Sequence, residues 1–460
     1  MTTAITTLLS RLAASLPADA LLADDASRVA YSYDNSRRQV MPGAVVLPRH
    51  HDDLVLIAQY AAELRVPLIA RGRGTNTTGA SVPRADALVV ACERMTRLIE
   101  MNPDDRLAVV EAGVLNGDVQ RAAAAHGLFW APDPTSAAYA TVGGNLACNA
   151  GGPRAVKYGA SRDNVLALRC VDGRGIAHRL GSRTTKGATG YDLMRMVIGS
   201  EGTLALISEA TLKLLPLPQC VRTLRALYRD VDAAAAAVAR LMRQPQTPCA
   251  LEFMDAQALR LAREVGGADI PAAGALLMIE VDGSEGAIDA AVAAVGKAAA
   301  GDGLLQIDVA QSADEVARLW AARKALSPAL KTIAPKKINE DVVVPVSQLP
   351  ALVAKTRELA ARSGIQIVSF GHAGNGNLHV NLMFDPDNAA QAAQAPGVLA
   401  ELFATTLALG GTLSGEHGIG LDKREFMSQA IAAPTLSLMR AVKAQFDPYQ
   451  LLNPGKLLPE

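Results

Sequence analysis

The sequence has few aromatic residues and no excess of either charge, and both features narrow what the protein can be. Phe, Trp and Tyr make up only 4% of the 460 residues, so a buried core must consist mainly of Ala, Val, Leu and Ile. Lys and Arg together number 45, and so do Asp and Glu. Because nucleic-acid-binding proteins usually carry a basic excess, we expect no nucleic acid as partner.

Cysteine is also scarce, and its spacing forms no motif. The absence of C-x-x-C and C-x-x-C-H argues against an iron–sulfur cluster, a zinc ribbon or a c-type haem in this chain. A scattered, odd-numbered set of cysteines is typical of a reducing compartment, so we expect a cytoplasmic protein. The five positions are Cys92, Cys148, Cys170, Cys220 and Cys249.

Long apolar runs are missing as well. No uninterrupted apolar segment has the length that a bilayer span requires. The first twenty residues have no cationic stretch ahead of their apolar positions, and Arg11 interrupts those positions. We therefore predict a short amphipathic helix there rather than a signal peptide. The expected protein is soluble, and peripheral docking to a membrane stays open.

Strand-like and helix-like segments alternate along the chain. Short apolar runs alternate with helical periodicity up to residue 127, which indicates an α+β or α/β unit. Residues 132–160 are rich in glycine and proline and predict a loop. Beyond Pro216 and Pro218, Ala-rich helices are interleaved with apolar strands. That pattern predicts a second α+β domain with an antiparallel sheet.

Three glycine-rich segments stand in the first half of the chain. In the first, RGRGTNTTG at 71–79, backbone N–H groups could cradle a pyrophosphate, and Thr75, Asn76 and Thr78 add donors. Its spacing fits neither a P-loop nor a Rossmann fingerprint, and taken alone a surface turn explains it equally well. The second and third segments, 141–152 and 188–207, favour a nucleotide, because so much buried loop backbone needs hydrogen-bond partners.

Histidine is rare, yet three of the seven histidines fall in two glycine-rich motifs. If the run HVNLMF is a strand, His379 and Asn381 share one face, and His372 lies just before, across a glycine turn. Two imidazoles brought together in this way make half of a metal site. Glu416 would add an oxygen ligand, and the adjacent His417 could point at a substrate.

A simpler alternative is that these histidines only satisfy buried backbone groups. For a single histidine we would favour that alternative. Three histidines, an asparagine and a glutamate within two glycine-bounded motifs favour a functional site instead. The motif H-E-x-x-H is absent, which argues against a zinc hydrolase of that type.

Cationic residues cluster in the segment 319–345. The planar fork of Arg323 suits bidentate binding of a substrate carboxylate. Lys336 and Lys337 are as consistent with a solvated basic patch as with a substrate role. Trp320 is expected in the core.

The motifs SFGHAGNGNLHVN, SGEHGIG and FDPYQLLNPGK, together with the three glycine-rich segments, give the chain a family resemblance from about Val45 onward. Its first half resembles the FAD-binding domain of the vanillyl-alcohol-oxidase/p-cresol-methylhydroxylase superfamily. The second half resembles the C-terminal domain of FAD-linked oxidases. The resemblance implies an α+β, two-lobed protein with a FAD-binding domain at 1–216, a substrate domain at 217–410, and a C-terminal segment, 411–460, that returns to the first domain.

The resemblance also implies a set of FAD contacts. No histidine lies between His51 and His126, where some relatives attach the flavin, so non-covalent FAD is expected. The pyrophosphate would be wrapped by two loops, the adenosine would lie near the third segment, and the C-terminus would close on the flavin. The implied residues are Arg71, Gly72, Arg73, Gly74, Thr75, Asn76, Thr78 and Gly79; Pro134, Thr135, Gly143, Gly144, Asn145, Ala147, Asn149 and Gly152; Glu201, Gly202 and Ile207; and Asn453.

Among these families the chain is most similar to D-2-hydroxy-acid dehydrogenases, namely D-lactate dehydrogenases, glycolate oxidase catalytic subunits and D-2-hydroxyglutarate dehydrogenases. The resemblance implies a divalent metal, zinc for example, on His372, His379 and Glu416, with His417 as the general base. Arg323 would bind the substrate carboxylate, with Asn381 and Lys336 as further substrate residues. Hydride would pass from the substrate C2 to FAD.

The local run RKALSPALKTIAP is more similar to the lactate/glycolate branch of the family, and this resemblance implies D-lactate or a similar small acid. The alternatives are D-2-hydroxyglutarate, which ranks second, and a glycolate oxidase catalytic subunit that acts in a complex. Electrons would leave to a quinone, a cytochrome or an electron-transferring flavoprotein. A homodimer and a partner protein stay open. Two rivals remain: a sugar or alcohol oxidase of the same superfamily, which would need neither the metal residues nor Arg323, and a flavin-binding subunit without catalysis.

Overall fold

The computed structural model describes residues 3–265 and 269–459. The chain divides into two compact units, each made of more than one stretch of sequence. The first comprises Met1–Gly151, Gly159–Leu217 and Glu416–Glu460, and the second comprises Gly152–Tyr158 and Pro218–Gly415. The domain boundaries expected at residues 216 and 410 stay a prediction.

Both units mix helices with sheets, as the α+β expectation requires. The strands are β1 (Leu21–Leu22), β2 (Ala44–Val46), β3 (Leu68–Arg71), β4 (Leu88–Ala91), β5 (Leu98–Asn102), β6 (Leu107–Glu111), β7 (Leu128–Phe129), β8 (Val165–Val171), β9 (Ala177–Gly181), β10 (Leu206–Lys213), β11 (Leu215–Pro216), β12 (Cys220–Tyr228), β13 (Ala250–Asp255), β14 (Ala275–Gly283), β15 (Leu304–Val309), β16 (Lys336–Val343), β17 (Gln366–His372) and β18 (Asn377–Phe384).

The α-helices follow the same chain order. They are α1 (Thr3–Ala13), α2 (Asp25–Val29), α3 (His51–Leu64), α4 (Asn116–Ala124), α5 (Val142–Cys148), α6 (Ala155–Tyr158), α7 (Leu193–Val197), α8 (Val231–Arg243), α9 (Ala256–Glu264), α10 (Ile288–Ala299), α11 (Ala313–Ala329), α12 (Leu349–Ser363), α13 (Ala389–Ala408), α14 (Met427–Ala430) and α15 (Ala433–Phe446). Among the described residues, no helix has both the length and the apolarity to cross a bilayer.

The first unit is built on two main sheets. One has the strand order β1-β2-β4-β3, with β2, β4 and β3 parallel, and the other has the antiparallel order β5-β6-β10-β8-β9. Helix α3 buries Leu54, Ile57 and Ala58 in a core shared with α1, as the helical spacing of these residues predicts. At its start, the Asp53 carboxylate accepts backbone hydrogen bonds from Arg49 (2.7 Å) and His50 (3.1 Å).

The glycine-rich stretch 132–160 differs from the loop that the sequence predicts, because α5 lies within it. Thr141 begins this helix by accepting the N–H of Gly144 at 3.1 Å. A Cβ at Gly143 would lie only 2.7 Å from the Cβ of Ala112, so only glycine permits this close packing. Glycine has a low helix propensity, and tertiary packing outweighs that propensity here.

The second unit contains one seven-stranded sheet with the order β15-β12-β14-β13-β17-β18-β16. Every neighbouring pair in it is antiparallel, which confirms the sheet type predicted from sequence. Helices α9 and α11 pack on the face that presents Met254, Met278 and Phe370. The half-buried Trp320 packs against this core, as expected.

The C-terminal segment is anchored in the first unit by buried charges. Asp447 is fully buried and accepts the N–H groups of Leu451 (3.0 Å) and Leu452 (2.7 Å), as well as the ammonium of Lys443. Further on, Lys456 donates to the carbonyl oxygen of Val82 at 2.7 Å. Burial lowers the pKa of Lys456 to about 8.

This lowered pKa predicts how stability responds to alkaline pH. The unfolded chain, in which lysine titrates near 10.5, binds more protons than the folded chain between pH 8 and 10.5. The free energy of unfolding of the wild type, relative to Lys456→Met, should therefore rise across this window by up to ~3 kcal/mol. Urea unfolding of both proteins from about pH 7 to about pH 10 measures it. A pH-independent difference would contradict the assignment.

Candidate active site

The first two glycine-rich segments, 71–79 and 141–152, lie against each other where Gly72 meets Thr141. They are called the first and the second loop below. The first loop leaves β3 after Arg71, and a Cβ at Gly72 would lie 2.4 Å from the Oγ1 of Thr141, where α5 begins. Gly74 follows with φ +67°, a conformation that favours glycine. Gly72 lets the first loop pass close to the side chain of Thr141, where α5 begins.

A cavity of about 350 Å³ opens beside the first loop. Gly74 and Thr75 of that loop line it, together with Ser136 and Tyr139, which precede the second loop. That one cofactor contacts both loops stays a prediction. The lining residues are Tyr33, Asp34, Asn35, Gly74, Thr75, Ser136 and Tyr139.

Several buried polar atoms in the same unit have no hydrogen-bond partner among the described residues, and three of them belong to an amide or a hydroxyl side chain. They are the Nδ2 of Asn145, the Oγ1 of Thr77 and the Oγ of Ser200. Buried polar groups are nearly always paired, so such atoms indicate that a ligand supplies the partner. A cofactor with pyrophosphate and ribose oxygens suits an amide donor and two hydroxyls, and in this respect the residues fit FAD.

Other polar groups expected to bind FAD are already engaged within the protein. The Arg71 guanidinium donates to the carbonyl oxygens of Tyr33 (2.7 Å) and Ala30 (3.3 Å), and burial lowers its pKa. Arg73 is half exposed and pairs with Glu93 at 3.5 Å. These contacts shape the loop, and a direct contact of either arginine with FAD stays a prediction.

Asn76 organises the first loop from within. Its Oδ1 accepts the N–H groups of Thr78 and Ala80, both at 2.9 Å, and its Nδ2 donates to the carbonyl oxygen of His417 at 2.9 Å. The Oγ1 of Thr78 also reaches that carbonyl, at 3.3 Å. The backbone at His417 is therefore held by the first glycine-rich loop.

Asn149, in the second loop, also has a structural task. It ends α5 in the left-handed conformation, and its Oδ1 accepts the N–H of Arg162 at 2.9 Å. The remaining expected cofactor residues belong to the first unit, except Gly152, which belongs to the second.

Glu201 binds the segment that follows His417. Its carboxylate accepts the N–H groups of Ile419 (2.6 Å) and Gly420 (2.8 Å), and its own backbone has φ +54°. Burial raises the pKa of Glu201, and these two hydrogen bonds oppose that rise. Asn453 donates to the carbonyl oxygen of Glu201 at 2.6 Å. Both residues thus hold the C-terminal segment, and their contacts with the cofactor stay a prediction.

In the second unit, the sheet brings two predicted metal ligands together. His372 ends β17 and His379 lies on β18, on the same face, because the register pairs Phe370 with His379. The imidazole centroids are 5.2 Å apart in an edge-to-face arrangement. Glu416 and His417 belong to the first unit, and their roles stay predictions.

Glu252 on β13 joins His372 to Arg323, and sequence reasoning missed it. It is fully buried, pairs with His372 in the strand register, and accepts hydrogen bonds from the Nδ1 of His372 (2.5 Å) and the Nε of Arg323 (2.7 Å). Burial acts to raise the pKa of Glu252, but its neighbours His372 and Arg323 outweigh burial and hold that pKa below its usual value.

Arg323 is presented from α11 with most of its side chain buried. Its Nε is used by Glu252, and its Cζ lies 4.7 Å from the centroid of the Phe370 ring. Carboxylate on one side and aromatic ring on the other fix the guanidinium plane. The two η nitrogens then present a fork of the kind that binds a carboxylate.

Asp341 is the second buried acid that sequence reasoning missed. It lies opposite His379 in the register, with its Oδ1 4.0 Å from the Nδ1 of that histidine. It accepts hydrogen bonds from Asn377 (2.6 Å) and from the N–H of Gly415 (2.9 Å). An acid next to apolar residues, as in ALEFM around Glu252 and DVVV from Asp341, was the available signal.

Asn381 shares a strand face with His379, as the alternation predicts. Its amide is fully buried: Nδ2 donates to the carbonyl oxygens of Val368 and His379, both at 3.1 Å, and Oδ1 accepts from Asn339 at 2.6 Å. These bonds hold the strands together. Contact between Asn381 and a substrate stays a prediction.

The two candidate lysines lie on opposite faces of β16. Lys337 shares a face with Asn339 and Asp341, and donates to the hydroxyl of Ser327 at 3.2 Å. Lys336 alternates to the other face and is exposed. The register therefore favours Lys337 over Lys336 as a neighbour of the histidine cluster.

Comparison with known protein families agrees with both halves of this description. Residues 42–181 match the model of a FAD binding domain, and residues 217–457 match the C-terminal domain of FAD linked oxidases.

Curated relatives align over nearly the whole chain. The glycolate oxidase subunit GlcD of Bacillus subtilis (strain 168) is 37% identical over 435 residues, covering 94% of this chain and 93% of the relative. GlcD of Escherichia coli (strain K12) is 34% identical, with 99% and 91% covered. A D-lactate dehydrogenase of Archaeoglobus fulgidus is 34% identical, with 93% and 95% covered.

Solved structures show the same fold. The structure of p-cresol methylhydroxylase with substrate bound superposes with a TM-score of 0.84 at 15% identity, covering all of this chain and 98% of the other. At that identity the likeness concerns the fold alone. Together with the two family models, it confirms the resemblance inferred from the sequence motifs, and the chain belongs to the FAD-linked oxidase family.

Proposed function

We propose that this protein is a FAD-dependent dehydrogenase that oxidises a small 2-hydroxy acid to the 2-oxo acid. The observation that carries the proposal is the buried cluster of His372, His379 and Arg323 within a FAD-linked oxidase, in which Glu252 joins His372 to Arg323 and His379 contacts His372. It offers imidazole nitrogens for a hydroxyl-polarising metal and a guanidinium for a carboxylate. A 2-hydroxy acid carries both of those groups on adjacent carbons.

The substrate we favour is D-lactate. Relatives from Archaeoglobus fulgidus and Anaerostipes hadrus, at 34% and 31% identity, are named D-lactate dehydrogenases. Glycolate is a second candidate, because the relatives at 37% and 34% identity are named glycolate oxidase subunits. Both acids are small monocarboxylates, so Arg323 would bind the single carboxylate of either one in the same way. D-2-Hydroxyglutarate ranks third, since its second carboxylate needs another cation, for which Lys337 is placed better than Lys336.

FAD is proposed to bind non-covalently through the first unit. The cavity at Gly74 and Thr75 and the buried amide of Asn145 support this. When bound, FAD accepts the hydride from the substrate C2. The sequence has no iron–sulfur motif to which the reduced flavin could pass its electrons within the chain. We therefore propose an external acceptor, which could be a quinone, a cytochrome or an electron-transferring flavoprotein.

The protein groups divide the remaining work. Arg323 binds the substrate carboxylate through its η nitrogens and thereby orients the C2 carbon. His417 takes the hydroxyl proton as general base. His372 and His379 are proposed to hold a divalent cation, and the sequence motif suggests Glu416 as the third ligand. Such a cation would lower the pKa of a hydroxyl group bound to it.

Anaerobic flavin reduction tests this function directly. The yellow holoprotein should bleach with D-lactate or glycolate and stay yellow with L-lactate. Arg323→Lys should lower kcat/KM by about 10- to 100-fold, because a charge-assisted hydrogen bond contributes about 1.5–3 kcal/mol and lysine lacks the planar fork. Arg318→Lys, on the exposed side of the same helix, is the matched control. Bleaching by sugars or simple alcohols alone would overturn the proposal.

Chelation tests the metal separately from the flavin. Dialysis against a chelator should abolish bleaching by D-lactate while the visible spectrum of bound FAD persists, because the two groups are assigned to different residues. Added Zn²⁺ or Mn²⁺ should restore the reaction. Full activity in protein shown by elemental analysis to be metal-free would assign His372 and His379 another role.

The unpartnered amide of Asn145 makes a prediction about FAD affinity. Asn145→Ala should raise the Kd for FAD by roughly 5- to 10-fold, which corresponds to loss of one hydrogen bond worth about 1 kcal/mol. Quenching of flavin fluorescence in a titration of the apoprotein measures it. Asn164→Ala is the control, because that buried amide donates to the carbonyl oxygen of Ala160 at 2.9 Å. An equal effect in both variants would point to a general loss of stability.

A further inference from the structure

We propose that Glu252 is the positioning residue of the substrate site, and that its one carboxylate sets both the metal-binding nitrogen of His372 and the plane of Arg323. The inference rests on the proposed function, since it concerns the metal and the carboxylate clamp assigned there. It adds a residue on a different strand, far in sequence from the motifs that mark the family.

The geometry gives each oxygen of Glu252 one task. Oε1 lies 2.5 Å from the Nδ1 of His372, and Oε2 lies 2.7 Å from the Nε of Arg323. A carboxylate can only accept, so Nδ1 carries the proton in this pair. In this tautomer the Nε2 of His372 carries a lone pair rather than a proton, which is the form in which a neutral imidazole binds a metal. A histidine that binds a metal commonly gives its other N–H to a carboxylate in this way.

The same carboxylate constrains the guanidinium. Glu252 binds Arg323 through Nε, so the outer N–H groups of the two η nitrogens are the ones proposed to bind the substrate carboxylate. Phe370 lies beside this guanidinium and near the ring of His379, with centroids 5.9 Å apart. The metal-binding nitrogen and the carboxylate clamp therefore keep a fixed relation through Glu252, which is what two-point binding of a 2-hydroxy acid requires.

A neighbouring acid serves as an internal comparison. Glu280 lies on the same face of the sheet, and is nearly as buried as Glu252. Its Oε1 accepts hydrogen bonds from Trp320 (2.7 Å) and Thr223 (2.8 Å), neither of which belongs to the site. Loss of charge at Glu280 therefore tests what removal of a buried acid does to the sheet without touching His372 or Arg323.

The experiment measures metal binding and substrate binding separately in the FAD-loaded protein. Zn²⁺ is titrated calorimetrically into chelator-treated wild type, Glu252→Gln, Glu252→Asp and Glu280→Gln. KM and kcat for D-lactate are then measured after metal is restored. Flavin absorbance and thermal unfolding establish that each variant is folded.

We expect Glu252→Gln to weaken Zn²⁺ binding by roughly 10- to 100-fold and to raise KM, because His372 and Arg323 both lose the carboxylate that orients them. Glu252→Asp should recover part of both losses, since the charge is kept. Glu280→Gln should match the wild type in Zn²⁺ affinity and KM.

The outcomes separate this inference from the function on which it rests. If the wild type binds Zn²⁺ and oxidises D-lactate while Glu252→Gln matches it in both, only the inference is overturned. If the wild type binds no Zn²⁺, the proposed metal fails, and the inference fails with it. Where Glu252→Gln does not fold, Glu252→Asp carries the test, and wild-type affinity and KM in that variant would overturn the inference.

Discussion

A carboxylate removed from water must receive hydrogen bonds or a positive charge, and this requirement organises the described part of the protein at several places. Asp447 fixes the turn after α15, Glu201 holds the glycine turn after His417, Asp341 binds the chain at Gly415, and Glu252 joins His372 to Arg323. In each case the acid ties together segments that are distant in sequence or fixes a turn that glycine makes possible. Of these acids, Glu252 and Asp341 lie beside His372 and His379 and help to define the candidate site.

The sequence predicted the parts of the fold that local patterns specify. The apolar run at 275–283 is β14, the run containing SFGH is β17, and the alanine-rich segment after Asp230 is α8, because periodicity and capping act over a few residues. Helix α5 was missed. Gly143 packs so closely against Ala112 that no Cβ would fit, and that tertiary contact is invisible in a local pattern.

The site was predictable where residues stand within one motif and unpredictable where register decides. His372 and His379 are seven residues apart in one strand–turn–strand motif, and the structure brings them together. Glu252 is 120 residues from His372 in the chain, so only the pairing of β13 with β17 reveals it. Likewise, Lys336 and Lys337 are equivalent in sequence, and only the pairing of β16 with β18 assigns them to different faces.

The unpaired atoms of Asn145, Thr77 and Ser200 have a consequence for the amount of folded protein in the cell. A ligand that binds only the folded state stabilises it by an amount that grows with the logarithm of ligand concentration. If FAD completes these hydrogen bonds, the folded fraction of newly made chains depends on the supply of flavin. Cells short of riboflavin would then contain less of the protein as well as less of its activity, because chains without the cofactor are exposed to proteolysis for longer.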